Sequence, residues 1–221
     1  RLIEGSMMAS TIKFRLESME FRKPLLGLTL SLVLGNGVVV AANFDKGMKA
    51  YDSQNYEAAL AEWLPLAEQG DVKAQRWVGH LYGAGQGVPL SDVIAFKWHL
   101  KAAEQGYAPA QKDVGLSYAD GDGIAENDKK AVEWLIKSAK QGYDWGQFFL
   151  ARMYQDGEGV LTNYVRAYMW YELTLYTSPK SDFGFHAKEL KHLTAQKMTK
   201  SDISKAQKMA SRCLASDYTD C

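Results

Sequence analysis

The sequence predicts an all-α solenoid in which helix–turn–helix units stack side by side and C-terminal helices close the stack. Three observations lead to this prediction: a 36-residue period, helical spacing of apolar residues within each period, and glycines at matching positions between the helical stretches. A unit of two helices cannot bury its own apolar face, so neighbouring units must cover one another. With 221 residues, the chain is long enough to form such a core.

Residues 19–42 have the pattern of a secretory signal peptide. A basic start with Arg22 and Lys23 is followed by the apolar run Leu25–Leu34 and by small residues up to Ala42. This order of features predicts export to the periplasm or to the outside, with cleavage after Ala42. The ten-residue run is well short of the ~20 apolar residues that span a bilayer, so we expect no stable membrane insertion after the signal is removed.

A shift of 36 residues aligns three consecutive blocks without gaps, and the first two blocks are identical at 14 of 36 positions. Each block contains a predicted first helix, a Gly-x-Gly turn and a predicted second helix. Asp92 and Asn127 are the predicted N-caps of two second helices, and Gly70, Gly106 and Gly142 follow the ends of such helices.

The predicted organisation of the whole chain follows from this period. Two helices between residues 181 and 214 would cover the open end of the stack, and Thr199 and Asp202 have the spacing of a capping box. The predicted segments are 1–18, an extension upstream of a start at Met19; 19–42, the signal peptide; 43–178, the solenoid with a partial unit 44–70 and units 71–106, 107–142 and 143–178; and 179–221, the capping helices and tail.

Aromatic residues recur in two columns of the repeat, one in the first helix and one in the second. Their regular spacing from the small residues predicts that they form the core, because burying one indole removes ~150–250 Å² of surface from water. The predicted core residues are Tyr82, Trp98, Tyr118, Trp134, Tyr154 and Trp170.

The first helix of each unit is expected to line the concave face of the stack, where its non-core positions differ between units. These positions mix basic and aromatic side chains, the residue types that carry most interface energy. We therefore predict a groove for an extended or helical peptide of acidic and apolar character. The predicted partner-binding residues are Lys73, Arg76, Trp77, His80, Lys112, Leu116, Trp145, Phe148 and Arg152.

No pattern of catalytic or cofactor-binding residues stands out in the sequence. Asp120 and Asp122 do not begin a calcium loop, because the fifth and sixth positions are Ile124 and Ala125. The four histidines contain no pair with the spacing of a helical zinc site, and no serine lies in a Gly-x-Ser-x-Gly elbow. We predict a non-enzymatic protein without a metal or other cofactor.

Charge and cysteine content exclude three further classes of protein. The 26 basic and 26 acidic residues leave no basic surplus for binding nucleic acid. The two cysteines, Cys213 and Cys221, are too few for a disulfide-dense scaffold or a four-thiolate zinc site. In an oxidising compartment we expect them to form a disulfide that holds the tail against the last helix.

The repeat columns together resemble Sel-one-like repeats, which are relatives of tetratricopeptide repeats. Three consecutive units carry the motif in register, and the resemblance covers residues 44–178. It implies a right-handed α-solenoid with a scaffold or adaptor role, since secreted members assist envelope assembly, signalling regulation or host contact. In the first full unit the motif residues are Ala74, Gln75, Val78, Gly79, Tyr82, Gly85, Gly87, Ala95, Trp98, Gln105 and Gly106.

An alternative function comes from one secreted branch of the same family, which is described as β-lactamase-like or penicillin-binding. By that resemblance the chain would be an envelope protein that binds or cleaves a cell-wall ligand. Members of that branch carry a cysteine pair in each unit, whereas no repeat of this chain contains a cysteine. The preferred prediction is an exported interaction module with a protein or peptide partner.

Overall fold

The computed structural model describes residues 42–221, which form ten α-helices and no strand. The predicted upstream extension and all of the predicted signal peptide except Ala42 lie outside these residues. Within the described part, no helix combines the length and apolarity needed to cross a bilayer. The helices are α1 (Phe44–Asp52), α2 (Tyr56–Glu68), α3 (Val72–Ala84), α4 (Asp92–Glu104), α5 (Ala108–Asp120), α6 (Asp128–Ala139), α7 (Asp144–Asp156), α8 (Tyr164–Thr177), α9 (Asp182–Ala195) and α10 (Lys200–Ala215).

The first eight helices form four antiparallel pairs, and each pair packs on the next. Within a unit α1 packs on α2, α3 on α4, α5 on α6 and α7 on α8. Between units the second helix of one pair packs on the first helix of the following pair, as α2 does on α3 and α4 on α5. The predicted all-α solenoid is therefore confirmed.

Side-chain caps fix the starts of the second helices. Asn127 is the N-cap of α6, as predicted, and its side chain accepts a hydrogen bond from a backbone N–H of the first turn. For α4 the prediction was wrong by one residue. Ser91 is the N-cap, and its hydroxyl accepts a hydrogen bond from the N–H of Ile94 at 3.4 Å. Asp92 is instead the first helical residue, where the positive end of the helix dipole stabilises its negative charge.

The second glycine of each Gly-x-Gly turn lies against the start of the preceding second helix. Gly123 has a φ of 71°, and a Cβ at this position would overlap the backbone of Asp92. Gly159 has a φ of 66° and makes the same contact with the backbone of Asp128. Both the left-handed backbone and the close approach require glycine, so each turn also joins one unit to the previous one.

Glutamine amides link successive units through buried hydrogen bonds. Gln75 Nε2 donates to the carbonyl oxygen of Ala67 in the preceding unit at 3.0 Å, and Gln75 Oε1 accepts from Gln105 Nε2 at 2.8 Å. One repeat later, Gln111 donates to the equivalent carbonyl at 3.3 Å and accepts from Gln141 at 2.7 Å. Because Gln75 and Gln111 are buried, these partners replace the water that the amides lose on folding.

The aromatic columns lie at different depths in the helix interfaces. Trp170 is 2% exposed, whereas Trp98 and Trp134 are half-buried and each has a lysine ammonium of its own helix within 4.2 Å of the ring centroid. In the partial unit, Trp63 is fully buried. The tyrosines of the other column are half-buried at the edges of the core, namely Tyr82, Tyr118 and Tyr154.

The two C-terminal helices depart from the pairing of the earlier units. α9 packs on α8 and also touches α7, as a further first helix would. α10 packs on α8 rather than pairing with α9, and it buries the small residues Ala206, Ala210 and Cys213. The predicted capping box of Thr199 and Asp202 is present at its start.

The C-terminal tail folds back onto the third full unit. A disulfide joins Cys213 in α10 to Cys221 at the chain end. Within the loop that it closes, Tyr218 lies against Gly142, and its hydroxyl lies beside the side chain of Gln147. The tail thus lies beside the last glutamine of the series, whose partner position one repeat after Gln141 is Thr177.

Candidate functional site

The first helices form the inner layer of the stack. α5 contacts α7 and α7 contacts α9, whereas α2, α4, α6 and α8 make no comparable contacts with one another in the described chain. In a curved stack of helix pairs, the layer whose helices lie closer together is on the inside of the curve. The exposed positions of α3, α5 and α7 therefore share one inner face, the face on which the sequence places the binding residues.

A charged cluster bridges α3 and α5 on this face. Arg76 Nε lies 2.5 Å from Asp113 Oδ2, and the Lys112 ammonium contacts the other oxygen of the same carboxylate. The exposed fractions of the three side chains are 23% for Arg76, 13% for Asp113 and 10% for Lys112. One carboxylate therefore pairs with two cations, which leaves one positive charge in excess in a site that water reaches only partly.

The electrostatics of this cluster favour its charged form. Burial alone would raise the pKa of Asp113, but the Lys112 ammonium and the Arg76 guanidinium outweigh burial and hold that pKa below its usual value. Burial likewise opposes the charge of Arg76, and the Asp113 carboxylate overcomes it, so the pKa of Arg76 is raised. Asp113 and Arg76 therefore both stay charged at neutral pH.

Two histidines lie close to the charged cluster and are biased toward the neutral form. Burial, with a smaller contribution from Arg76, lowers the pKa of His80. Burial lowers the pKa of His99 to about 4. The His99 ring packs on Gly79, where a Cβ would overlap it, so the close contact of α3 with α4 depends on this glycine.

Aromatic rings continue the face toward the N-terminal end. Trp77 stacks on Trp63 with ring centroids 5.2 Å apart, and Tyr51 meets Trp77 edge-on at 4.9 Å. His80 lies 5.5 Å from Trp77. Because Trp63 is fully buried, this group anchors α1 and α3 on the core as well as shaping the inner surface.

Between α5 and α7 the face is aromatic and open. Trp145 is 39% exposed, and its ring lies 6.2 Å from that of Phe149 and 5.5 Å from the Lys112 ammonium. The Phe149 ring, which lies next to that of Trp145, also lines a cleft of about 230 Å³. The residues that line it are Leu116, Ala119, Asp120, Leu135, Phe149, Arg152, Met153 and Glu158.

The predicted binding residues fall into an accessible group and a covered group. Lys112 and Phe148 are 8% and 6% exposed, so neither side chain is presented to a partner. Arg76, Trp77 and Leu116 are half-buried. The residues that remain exposed are Lys73, His80, Trp145 and Arg152.

The binding residues predicted from the sequence left out three side chains that shape the charge and the aromatic surface of this face. Asp113 pairs with two of the three basic residues on which the acidic-partner prediction rested, so neither side chain is free of a partner within the chain. Its position carried a signal, because it follows Arg76 by one repeat plus one residue and so faces it from the next first helix. Phe149 and Tyr51 were also missed, since the first stands in a variable column and the second in the shortened unit.

The described residues contain no group of three or more His, Cys, Asp or Glu side chains that could hold a metal ion. The inner face presents aromatic surface, aliphatic surface and single charges.

Comparisons with known proteins agree with the fold. A family model for the Sel1 repeat matches residues 72–107, 108–143 and 146–174. The crystal structure of a Sel1 repeat protein from Oxalobacter formigenes is 30% identical over 77% of this chain and 75% of that one, with a TM-score of 0.59. A protective antigen present in uropathogenic Escherichia coli strains, with an SLR fold, is 24% identical over 78% of this chain and 44% of its own length, with a TM-score of 0.46. No curated protein matches the chain.

Proposed function

Because the chain belongs to the Sel1 repeat family, we propose that it is an exported, non-enzymatic scaffold that binds a protein partner on its inner face. Sel1 repeats are generally protein–protein interaction scaffolds, and proteins built from them are typically non-enzymatic. The proposal adds a compartment and a binding site to this general role.

The exposed ring of Trp145 beside the α5–α7 cleft is the observation that carries the proposed site. A partly exposed indole next to a concave apolar surface is a typical anchor point of protein interfaces. Arg152 lines the same cleft and stays exposed, so one acidic side chain next to an apolar one in the partner would complement it, while Asp120 and Glu158 in the same lining leave no surplus of positive charge there. We propose a peptide or helix of this character as the ligand, in line with the sequence prediction.

The disulfide between Cys213 and Cys221 supports the proposed export. Disulfides form and persist in the periplasm and outside the cell, and are rare in a reducing cytosol. The same compartment is indicated by the signal-peptide pattern of residues 19–42. Cell fractionation tests this part, with the chain and its intact disulfide expected in the periplasmic or extracellular fraction.

Partner capture tests the inner-face site. Proteins cross-linked to the chain in envelope extracts would be identified by mass spectrometry, and the affinity of the main partner measured with purified proteins. The double variant Trp145→Ser/Arg152→Glu should lower that affinity by at least about tenfold. Both side chains are exposed, so the free energy of unfolding should change by only about 1 kcal/mol or less.

A matched control uses the second-helix side of the stack. Leu90→Ser/Lys97→Glu also removes one exposed apolar side chain and reverses one exposed charge, and it should bind the partner like the wild type. Equal affinities of the two double variants would refute the inner-face site. Hydrolysis of nitrocefin by the purified chain above background would refute the non-enzymatic role.

A further inference from the structure

The C-terminal end of the stack lacks one helix of the regular pattern. In the preceding units each first helix packs along its own second helix, as α3 does on α4, α5 on α6 and α7 on α8. α9 takes the place of a fourth first helix, but α10 packs on α8 instead. The side of α9 that would face a second helix is therefore left without this neighbour.

The tryptophan column explains what is missing there. The position one repeat after Trp170 is Ala206, so α10 has no indole to insert between α8 and α9. In the middle of the stack, Trp134 belongs to the same apolar cluster as Phe96 of the preceding second helix. Tyr168 stands two repeats after Phe96 and is likewise 7% exposed, but its ring is covered by the Lys191 ammonium, 5.4 Å from the ring centroid, instead of by a tryptophan of a following unit.

A cleft lies at the corresponding place between α8 and α9. Its volume is about 480 Å³, which is larger than the inner-face cleft, and Tyr168 and Ala195 line it. Phe185, on the first turn of α9, also lines it and is 63% exposed. A large apolar side chain that is exposed at the edge of a cleft is a typical contact point for a partner.

The rim of this cleft carries charges of both signs. Lys188, Lys191 and His192 line it together with one acid, Glu189, and the Lys191 ammonium pairs with Glu172 at 2.6 Å. The basic surplus belongs to this end of the molecule as a whole, since residues 179–221 contain eight basic and five acidic residues, whereas residues 43–178 contain 13 basic and 18 acidic ones. A negatively charged ligand is therefore favoured at this end.

We propose that the α8–α9 cleft binds an amphipathic helix of a partner protein, which takes the place of the absent second helix. An aromatic side chain of that helix fills the space beside Tyr168 and Phe185, and aspartate or glutamate residues flank it and meet Lys188 and His192. This surface is separate from the inner face of α5 and α7, so it does not depend on the function proposed above.

Selection from a displayed library of short amphipathic helical peptides, with the full chain as bait, tests the proposal. Enriched peptides should share one aromatic residue flanked by Asp or Glu, and their affinity should fall as salt rises. Phe185→Ser and Lys188→Glu should each weaken the binding of such a peptide by about tenfold or more. Both side chains are exposed, so the variants should unfold at the wild-type urea midpoint.

Matched controls separate this surface from the others. Leu161→Ser removes a side chain that is 92% exposed elsewhere, and Lys200→Glu reverses an exposed charge at the start of α10. Both should bind the peptide like the wild type, as should the inner-face variant Trp145→Ser/Arg152→Glu. Failure to enrich any peptide, or enriched peptides whose affinity ignores Phe185→Ser and Lys188→Glu, would overturn the proposal.

Two further outcomes would assign the cleft to another occupant and so overturn the proposal as well. Self-association of the chain in sedimentation equilibrium that is abolished by Phe185→Ser would identify a second copy. Peptide binding by residues 41–221, which form one compact unit, but not by the full chain would identify the segment 1–40.

Discussion

The two gaps between successive first helices, α3/α5 and α5/α7, have equivalent places in the repeat, but charged side chains fill the first and aromatic side chains flank the second. The first is bridged by the Arg76–Asp113–Lys112 cluster, with neutral histidines beside it. The second is flanked by Trp145 and Phe149 and opens into a cleft. The backbones of α5 and α7 also approach each other more closely than those of α3 and α5.

This difference shows how one scaffold provides two kinds of surface. The columns that carry glycine, alanine and glutamine repeat in both gaps, because they hold the units together. The columns that face inward carry different side chains in successive units, so one gap holds an ionic bridge and the other an open aromatic surface. The bridge joins α3 to α5, and the open gap is the place where we propose that the partner binds.

Removal of the carboxylate that Arg76 and Lys112 share should cause the largest loss of stability. Asp113→Asn leaves Arg76 and Lys112 charged in a mostly buried site without a counter-ion, so the free energy of unfolding at neutral pH should fall by about 3 kcal/mol. Urea titration measures this change. The control is Asp122→Asn, an exposed acid in the turn of the same unit, which should change stability by no more than about 0.5 kcal/mol. Equal urea midpoints for the two variants would show that the bridge adds no stability.

The histidine of the first gap should give the fold a pH dependence. His99 has a pKa of about 4 in the folded protein against 6.5 ordinarily, so the unfolded chain binds more protons between these values. Its contribution is complete above pH 6.5 and is lost as pH falls toward 4, which amounts to about 2 kcal/mol at pH 5. Urea titrations at pH 7 and pH 5 measure the loss.

The neighbouring unit supplies the control for this experiment. Leu135 stands in the column of His99 and packs on Gly115 as His99 packs on Gly79. His99→Leu should therefore fold and should lose most of the pH dependence between pH 7 and pH 5. His80, whose pKa is also lowered, adds a dependence of the same sign that remains in both proteins. An unchanged slope in His99→Leu would contradict the assignment.

The smallest loss of stability should be the same in the first and the second full unit. Gln105→Ala and Gln141→Ala each remove one donor to a buried glutamine, and each should cost about 1 kcal/mol of unfolding free energy. Urea titration of both variants measures these costs. They should be equal, because the glutamine hydrogen bonds repeat from unit to unit, whereas the inward-facing side chains differ. Costs that differ by more than about 1 kcal/mol would contradict this division.

Much of the fold could be predicted because its signals are local in the chain. The order of helices, the Gly-x-Gly turns and the capping box of Thr199 and Asp202 each depend on residues within a few positions of one another. The misplaced N-cap of α4 shows the limit of such signals. Ser91 and Asp92 are both good caps, and only the helix geometry decides between them.

The candidate site could be predicted less completely. The helical face was evident from the repeat columns, but not which of its side chains a partner can reach. Lys112 was predicted as a contact because of its charge, yet the structure buries it between Asp113 and Trp145. The cleft at α9 had only one signal in the sequence, namely alanine at position 206 in the tryptophan column.

Local signals were enough to predict the repeat, its period and the family, because glycine turns and helical spacing involve residues that are close together in the chain. The tertiary structure alone decided which charges neutralise one another and where α10 packs. These outcomes depend on side chains about one repeat apart, such as Arg76 and Asp113, and on burial, which sets whether a charge or a ring faces water or a neighbouring helix.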